Sequence, residues 1–425
     1  MGPMKPKWKF GCAVAALALA SGLASARPQG DGSPTVETHS AADSLLFVHT
    51  DGPRLVNQFG EPLLLKGTNL GNWLEPEGYM FVFDKGPQST SEIEELVSEL
   101  YGPEASGRFW KEWHESYITR DDIELIRRAG FNSVRIPLHW ELFQDPNGEG
   151  FQLLDRVIAW CREAHIWVVL DLHCAPGGQT GANIDDSLGY PWLFRSKAMQ
   201  DLTAEIWKGI ARHYRDDATV IGYDLLNEPI PHFDALKPLK KELEPVYKRI
   251  AAAIREVDPN HVLILGGAVW DTDFSVFSAP FDKNVMYTFH KYWMTPDQSS
   301  IQEYVDFRAR YKVPIWLGES GENTDDWVRQ FRVLLEKNDI GWCFWPYKKM
   351  ERTSAVVTIA KPTYWDEIVA FGQLPRGTAN AEKRVAARPA PEHVDQAFRE
   401  LLENIRAAKC RVNEGYVKAL GMHAP

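Results

Sequence analysis

Eight short apolar runs, each bounded by polar residues or by glycine and proline, alternate along this chain with segments of helical periodicity. The runs are Leu63 to Asn69, Ser133 to Leu138, Trp167 to His173, Val220 to Asn227, His261 to Gly266, Asn284 to His290, Pro314 to Glu319 and Gly341 to Tyr347. Their continuous apolar character marks strands buried in a sheet rather than strands with one wet face. Between them, Ile123 and Ile126, then Leu154, Val157, Ile158 and Cys161, then Trp327, Phe331, Leu334 and Leu335 fall at helical spacing. Longer helices are predicted over Ala198 to Tyr214 and Lys240 to Val257. Eight such alternations without a second sheet predict an α/β fold, a single (β/α)8 TIM barrel with its functional groups at the carboxyl ends of the strands.

The flanks extend this plan. Leu45 to Val48 and Arg54 to Val56, around Asp51-Gly52-Pro53, read as an N-terminal hairpin able to close the barrel bottom. Thr363 to Phe371 is the last barrel helix, and the Ala/Pro/Arg-rich stretch Pro375 to Pro391 leads to a C-terminal helix from about Glu392 to Leu420. The expected division is residues 1–26 as a secretory signal, 27–43 as a disordered lead-in, 44–373 as the catalytic barrel and 374–425 as linker and helical extension.

The signal rests on Lys5, Lys7 and Lys9, the apolar run from Gly11 to Leu23, and the small-residue site ending at Ala26. That run is too short to span a membrane, so a secreted product cleaved near Ala26 is expected, with no membrane span. The formal charge of -11 becomes three units more negative once those lysines are removed, which argues against a nucleic-acid partner. Cys161, Cys174, Cys343 and Cys410 lack metal-like spacing and read as free thiols, with one bridge conceivable. No metal and no cofactor is expected. The 16 tryptophans exceed what a core requires and suit a carbohydrate ligand, an oligo- or polysaccharide, bound by a monomer.

Two strand ends carry the chemistry. Leu225-Leu226-Asn227-Glu228 is cut off by Pro229, and Ile315-Trp316-Leu317-Gly318 runs into Glu319. A carboxylate at the mouth of a buried strand is costly, and two of them are what glycoside hydrolysis by a carboxylate pair requires. The other strand ends add Asn69 and Trp73, Arg135 and Trp140, His173, His290 and Tyr292, and Trp345.

In order, Ser-Val-Arg135-Ile-Pro, Asp-Leu-His173, Asn227-Glu228-Pro229, Phe-His290-Lys-Tyr292, Leu-Gly-Glu319 and Phe-Trp345 resemble glycoside hydrolase family 5, the large cellulase and glucanase family. The segments Gly67 to Pro76, with Trp73 and Glu75, and Asp171 to Gln179 look like its exo-β-1,3-glucanase branch. The resemblance implies a retaining hydrolase with Glu319 as nucleophile and Glu228 as acid and then base. Arg135 and Tyr292 would favour the charged form of Glu319, and Asn227 would bind the sugar 2-hydroxyl. His173 and His290 would hold Glu228, Tyr292 or sugar hydroxyls, with Trp345 as the floor of the reactive subsite. The two carboxyl groups should then lie about 5 Å apart.

The expected substrate is a β-1,3- or β-1,4-glucan. A β-mannanase, a glycolipid glucosidase or a transglycosylase would share the chemistry, and a barrel that binds glycan without cleaving it is the non-enzymatic alternative. Asp185 and Asp186 read equally as cleft residues, loop caps or a weak cation site. The acidic helix Glu92 to Glu99 reads as a solvated face or a lid.

Overall fold

A computed structural model of the protein describes residues 47–187 and 189–425. The expected signal and lead-in lie outside them. Eight parallel strands close into a barrel in chain order: β3 (Lys66–Asn69), β4 (Ser133–His139), β5 (Trp167–Cys174), β6 (Val220–Asp224), β7 (Val262–Gly266), β8 (Val285–His290), β9 (Ile315–Glu319) and β10 (Gly341–Phe344). Closure comes from β10 pairing with β3, Trp342 opposite Lys66 and Phe344 opposite Thr68. Ahead of the barrel, β1 (His49–Asp51) and β2 (Arg54–Val56) form an antiparallel hairpin. Of the predicted first strand, Leu45 to Val48, residues 45 and 46 lie outside the described residues, and the pairing runs from His49 to Asp51, right up to the Gly52-Pro53 turn.

Side-chain alternation builds two cores. Leu170, Tyr223, Leu263, Leu265, Tyr287 and Leu317 point outward and join the helix layer. Val169, Ile221, Val262, Ile264, Met286 and Trp316 point inward and form a separate cluster with Val48 and Leu55 of the hairpin region. The hairpin therefore plugs the barrel floor. Above that apolar floor, alternation along β4 and β5 and, past a bulge at Ile221, along β6 places Arg135, Asp171 and Asp224 inside, all fully buried.

A helical insertion follows β3. Ser89 and Glu92 make a reciprocal capping box that starts the helix Thr90–Tyr101, and Pro103 opens a second helix, Pro103–Tyr117. The tail packs on this insertion: Phe398, in the helix Pro391–Asn404, lies 5.2 Å from Tyr101 and 5.3 Å from Phe109 between ring centroids. The stretch between the barrel and this helix is not a bare linker, since it holds the helix Ala381–Ala386, whose buried Arg384 pairs with Glu99 at 2.6 Å.

The single tail helix expected over Glu392 to Leu420 is broken at Asn404. Beyond it, β13 (Arg411–Val412) pairs with β12 (Val357–Ile359), which pairs with β11 (Lys348–Met350), before a last helix, Glu414–Ala419. Strand pairing and the bond from Asn413 Nδ2 to the Ala355 carbonyl (2.9 Å) override helix propensity here. The buried Lys348 joins three parts of the molecule, donating to the Tyr117 and Ile405 carbonyls and pairing with Asp122 at 2.7 Å. Cys161, Cys174, Cys343 and Cys410 are all free thiols, and no helix among the described residues is long and apolar enough to cross a membrane.

Candidate active site

The carboxyl ends of the strands surround a cavity of about 730 Å³ lined by His173, Asn227, Glu228, His290, Tyr292, Glu319 and Trp345. Its floor is held by one guanidinium. Arg135 donates from Nε to Asp224 (2.9 Å), from Nη1 to Asn69 (3.1 Å) and Glu319 (2.6 Å), and from Nη2 to Asn227 (2.9 Å). Asp171 lies 3.0 Å from the same Nη2. One buried cation thus faces three carboxyl groups. Burial pushes Asp171 and Asp224 each up to about 7, against the pull of Arg135.

Asn69 completes its role as a strut by donating to the carbonyls of Gly318 (3.1 Å) and Cys343 (3.2 Å), which ties β3 to β9 and β10.

His173 closes a ring of bonds on this cluster. Its Nδ1 lies 2.8 Å from Asp171, and its Nε2 is 3.2 Å from Asn227 Nδ2. Asn227 presents its oxygen to Arg135 and therefore donates its N–H, so His173 accepts at Nε2 and donates at Nδ1. Burial lowers His173 to about 4, which agrees with a neutral ring. Gln179, fully buried after the Gly177-Gly178 turn, pins the backbone by donating to the carbonyls of His173 (2.6 Å) and Asn227 (3.0 Å).

Glu228 and Glu319 face each other across the cavity. An oxygen of each and a nitrogen of His290 all lie within 4.8 Å of one another. Both oxygens of Glu319 accept hydrogen bonds, Oε1 from Arg135 and Oε2 from the Tyr292 hydroxyl (3.1 Å). Glu228 Oε1 is 3.0 Å from His290 Nδ1. Removal from water pushes Glu228 up to about 7, and burial lowers His290 to about 3. The two glutamates thus sit in different surroundings, one against an arginine and a phenol, the other against a neutral imidazole.

Glu228 also sits in the left-handed region at φ 48°, a conformation that costs a non-glycine residue on the order of 1–3 kcal/mol. Trp345 is held as a rigid plate. It stacks 5.6 Å from His173, its indole N–H donates to Tyr79, and it covers Gly71, where a Cβ would lie 2.1 Å from the ring.

Three expected site residues fall elsewhere. Trp73 is fully buried, donates to the His114 carbonyl (2.8 Å) and belongs to the helix-side core. Trp140 packs half-buried against the same core beside His139 and does not line the cavity. Glu75 lies behind the cavity wall, accepting from the Asn72 N–H (2.8 Å), with its other oxygen buried and unpaired among the described residues.

The open alternatives also separate. Asp185 caps its own loop through the N–H groups of Gln179, Thr180 and Ser187. Asp186 binds Ser91 instead and ties that loop to the insertion helix.

Several cavity residues carried no signal that the sequence reading used: Glu77, Tyr79, Trp270, Trp293 and Glu322. Glu77 comes from the insertion, and burial raises its carboxyl well above the usual range. Lys349 pairs with Glu322 and lies over the Tyr79 ring at 4.3 Å. Among the described residues, two groups bring metal-type ligands together, Glu228, His290 and Glu319, and Glu75, Glu77 and His173. In the first group Glu228 faces His290 while both oxygens of Glu319 are taken by Arg135 and Tyr292, and in the second burial favours protonated carboxyls.

The model of the cellulase family, glycosyl hydrolase family 5, matches residues 91–351. The chain belongs to glycoside hydrolase family 5. This family 5 chain is 29% identical over 347 residues to a β-xylosidase of Phanerodontia chrysosporium, covering 72% of this chain and 71% of that one. It is 27% identical over 311 residues to endoglucanase C of Acetivibrio thermocellus, covering 57% of this chain and 88% of that one. In fold, it superposes on a solved endogalactoceramidase with a TM-score of 0.58 at 17% identity, over 88% of this chain and 84% of that one. The protein is a glycoside hydrolase, and the family assignment supports a β-glycosidase.

Proposed function

We propose that this enzyme hydrolyses β-linked glucan with retention of anomeric configuration, through Glu319 as nucleophile and Glu228 as acid and base. The observation that carries the reading is the short carboxyl separation, with oxygens of the pair within 4.8 Å. Retaining enzymes keep their carboxyl groups about 5–5.5 Å apart, and inverting ones need a wider gap to admit water.

In the first step Glu319 attacks the anomeric carbon while Glu228 gives its proton to the departing glycosidic oxygen. The negative charge on Glu319 disappears in the ester, and Glu228, now ionised, draws a proton from the water that hydrolyses it. Asn227 is suited to the sugar 2-hydroxyl and Trp345 to the ring face. The similarity to an endoglucanase supports glucan as the polymer. The β-xylosidase name makes a pentose a worthwhile comparison.

The test is proton NMR of early products from laminarin, carboxymethylcellulose, mannan and aryl β-glucoside and β-xyloside. The β-anomer should form first, with the highest rate on a glucan or glucoside. An α-anomer formed first would refute retention, and a preference for mannan or xyloside would refute the glucan assignment.

The pH profile gives a second test. Glu228 must hold its proton to act as the acid, and its carboxyl is pushed up to about 7. Activity therefore persists below that value and declines as pH rises through it, so kcat/KM should fall near neutrality. A plateau extending past about pH 9 would exclude Glu228 as the acid.

A further inference from the structure

Asp271 lies in the loop after β7, outside every role given so far. Val269, Trp270 and Asp271 run consecutively through the left-handed region, at φ 60°, 58° and 58°. This turn drives the Asp271 carboxyl inward, where it is fully buried against Gly266; a Cβ on that glycine would fall 1.8 Å from Asp271 Oδ1. The other oxygen, Oδ2, accepts the backbone N–H of Glu228 at 2.9 Å and lies 3.5 Å from His290 Nε2. Gly318 makes the matching space on the far side of the imidazole, since a Cβ there would lie 2.8 Å from His290 Nε2.

We propose that Asp271 is a positioning residue for proton transfer: it holds Glu228 in its left-handed conformation and keeps His290 in the Nε2–H tautomer, so that Nδ1 accepts the acidic proton of Glu228. Oδ2 already accepts one N–H and lies 3.5 Å from Nε2, a buried nitrogen with no hydrogen-bond partner among the described residues, and is the acceptor at hand for an Nε2–H. It stays an acceptor whether or not Oδ1 carries a proton. His290 then meets the protonated form of Glu228 with a lone pair, which favours that form at 3.0 Å. The other tautomer would donate to ionised Glu228 and favour early loss of its proton. Also facing this pair are Glu319, 3.7 Å from His290 Nδ1, and the more distant Arg135, His173, Asp171, Tyr292 and Glu77, all of which the Asp271 variants leave in place.

The inference rests on Glu228 as the acid, and one measurement separates the two. In protein labelled with 15N-histidine, long-range proton–nitrogen correlation reads the His290 tautomer directly, whichever residue is the acid. The expected result is Nε2–H in the wild type, and Nδ1–H there overturns the proposal.

The second arm uses aryl glycosides with poor and good leaving groups. Asp271→Ala should lower kcat/KM about 10- to 100-fold on the poor one, which needs the acid, and by less than about threefold on a dinitrophenyl glycoside. Its basic limb should move to lower pH. Asp271→Asn, which keeps an accepting oxygen, should recover most of the loss on the poor leaving group. Equal losses on both substrates with an unmoved limb would mean a structural role and overturn the proposal. If Asp271→Ala does not fold, the wild-type tautomer decides.

Discussion

Replacing Glu319 by Gln is expected to reduce turnover of every substrate, activated or not, by about 10⁴-fold or more, because no group remains to form the glycosyl ester. The substitution keeps shape and one acceptor oxygen for Arg135, so the variant should fold and bind glycan. Glu228 variants should behave differently. Glu228→Gln should cost about 10²–10⁴-fold on glucan, the range of a lost general acid, yet far less on a dinitrophenyl glycoside, whose leaving group departs unassisted. With that substrate, the second step becomes limiting in Glu228→Ala, and a burst of dinitrophenol should precede a slow steady state. Azide, which needs no base, should then accelerate turnover and yield a β-glycosyl azide. The assignment fails if Glu228→Ala loses activity equally on both leaving groups, or if azide has no effect. Wild-type turnover by Glu319→Gln would end it outright.

Much of this site was legible in the chain because barrel physics makes it so. Strands buried on both faces read as unbroken apolar runs, and polar residues that interrupt them, such as Asn227-Glu228 and Glu319, stand out. The charged layer was less visible. Asp171 and Asp224 look like ordinary strand residues until the alternation that brings Arg135 inside is extended to the neighbouring strands. Period two would have found Asp171, whereas the bulge at Ile221 hides Asp224 from it.

Position at a strand end says nothing about orientation, and Trp73 packs into the core that the insertion after β3 supplies. That insertion also delivers Glu77 and Tyr79 to the cavity, a consequence of how the helices fold back that no local motif announces. Asp271 was invisible for a further reason. Three consecutive left-handed residues in Val-Trp-Asp contradict the preferences of those side chains, and only the packing around Gly266 imposes them. Where local preference and tertiary constraint disagree, the residues concerned lie next to Glu228, which is where such conflicts tend to have work to do.

The second large effect is on the fold. Arg135→Met should destabilise the protein by about 3–5 kcal/mol, the cost of leaving buried charged partners without their counterion, and it should abolish activity as well. Burial of Arg135 is complete, and its loss would strand Asp171 and Asp224, which are equally buried. Arg135→Lys should not restore the wild type. A lysine offers three donors from one point, whereas the guanidinium reaches Asp224, Asn69, Glu319 and Asn227 in separate directions.

The sign of the pH dependence identifies the cause. Asp171 and Asp224 already stand near 7 in the folded protein, above their unfolded values, and Arg135 is what keeps them from rising further. Without it the folded state binds still more protons than the unfolded chain, so the stability difference from wild type should be small at pH 5 and grow as pH rises. Denaturant melts of wild type and Arg135→Met at a series of pH values between 5 and 8 would measure this. A penalty that stays constant over that interval would mean that lost packing, rather than uncompensated carboxylates, is what Arg135 prevents. Adding Asp171→Asn and Asp224→Asn to Arg135→Met should then recover part of the lost stability while activity stays absent, because Glu319 would still lack its strongest partner.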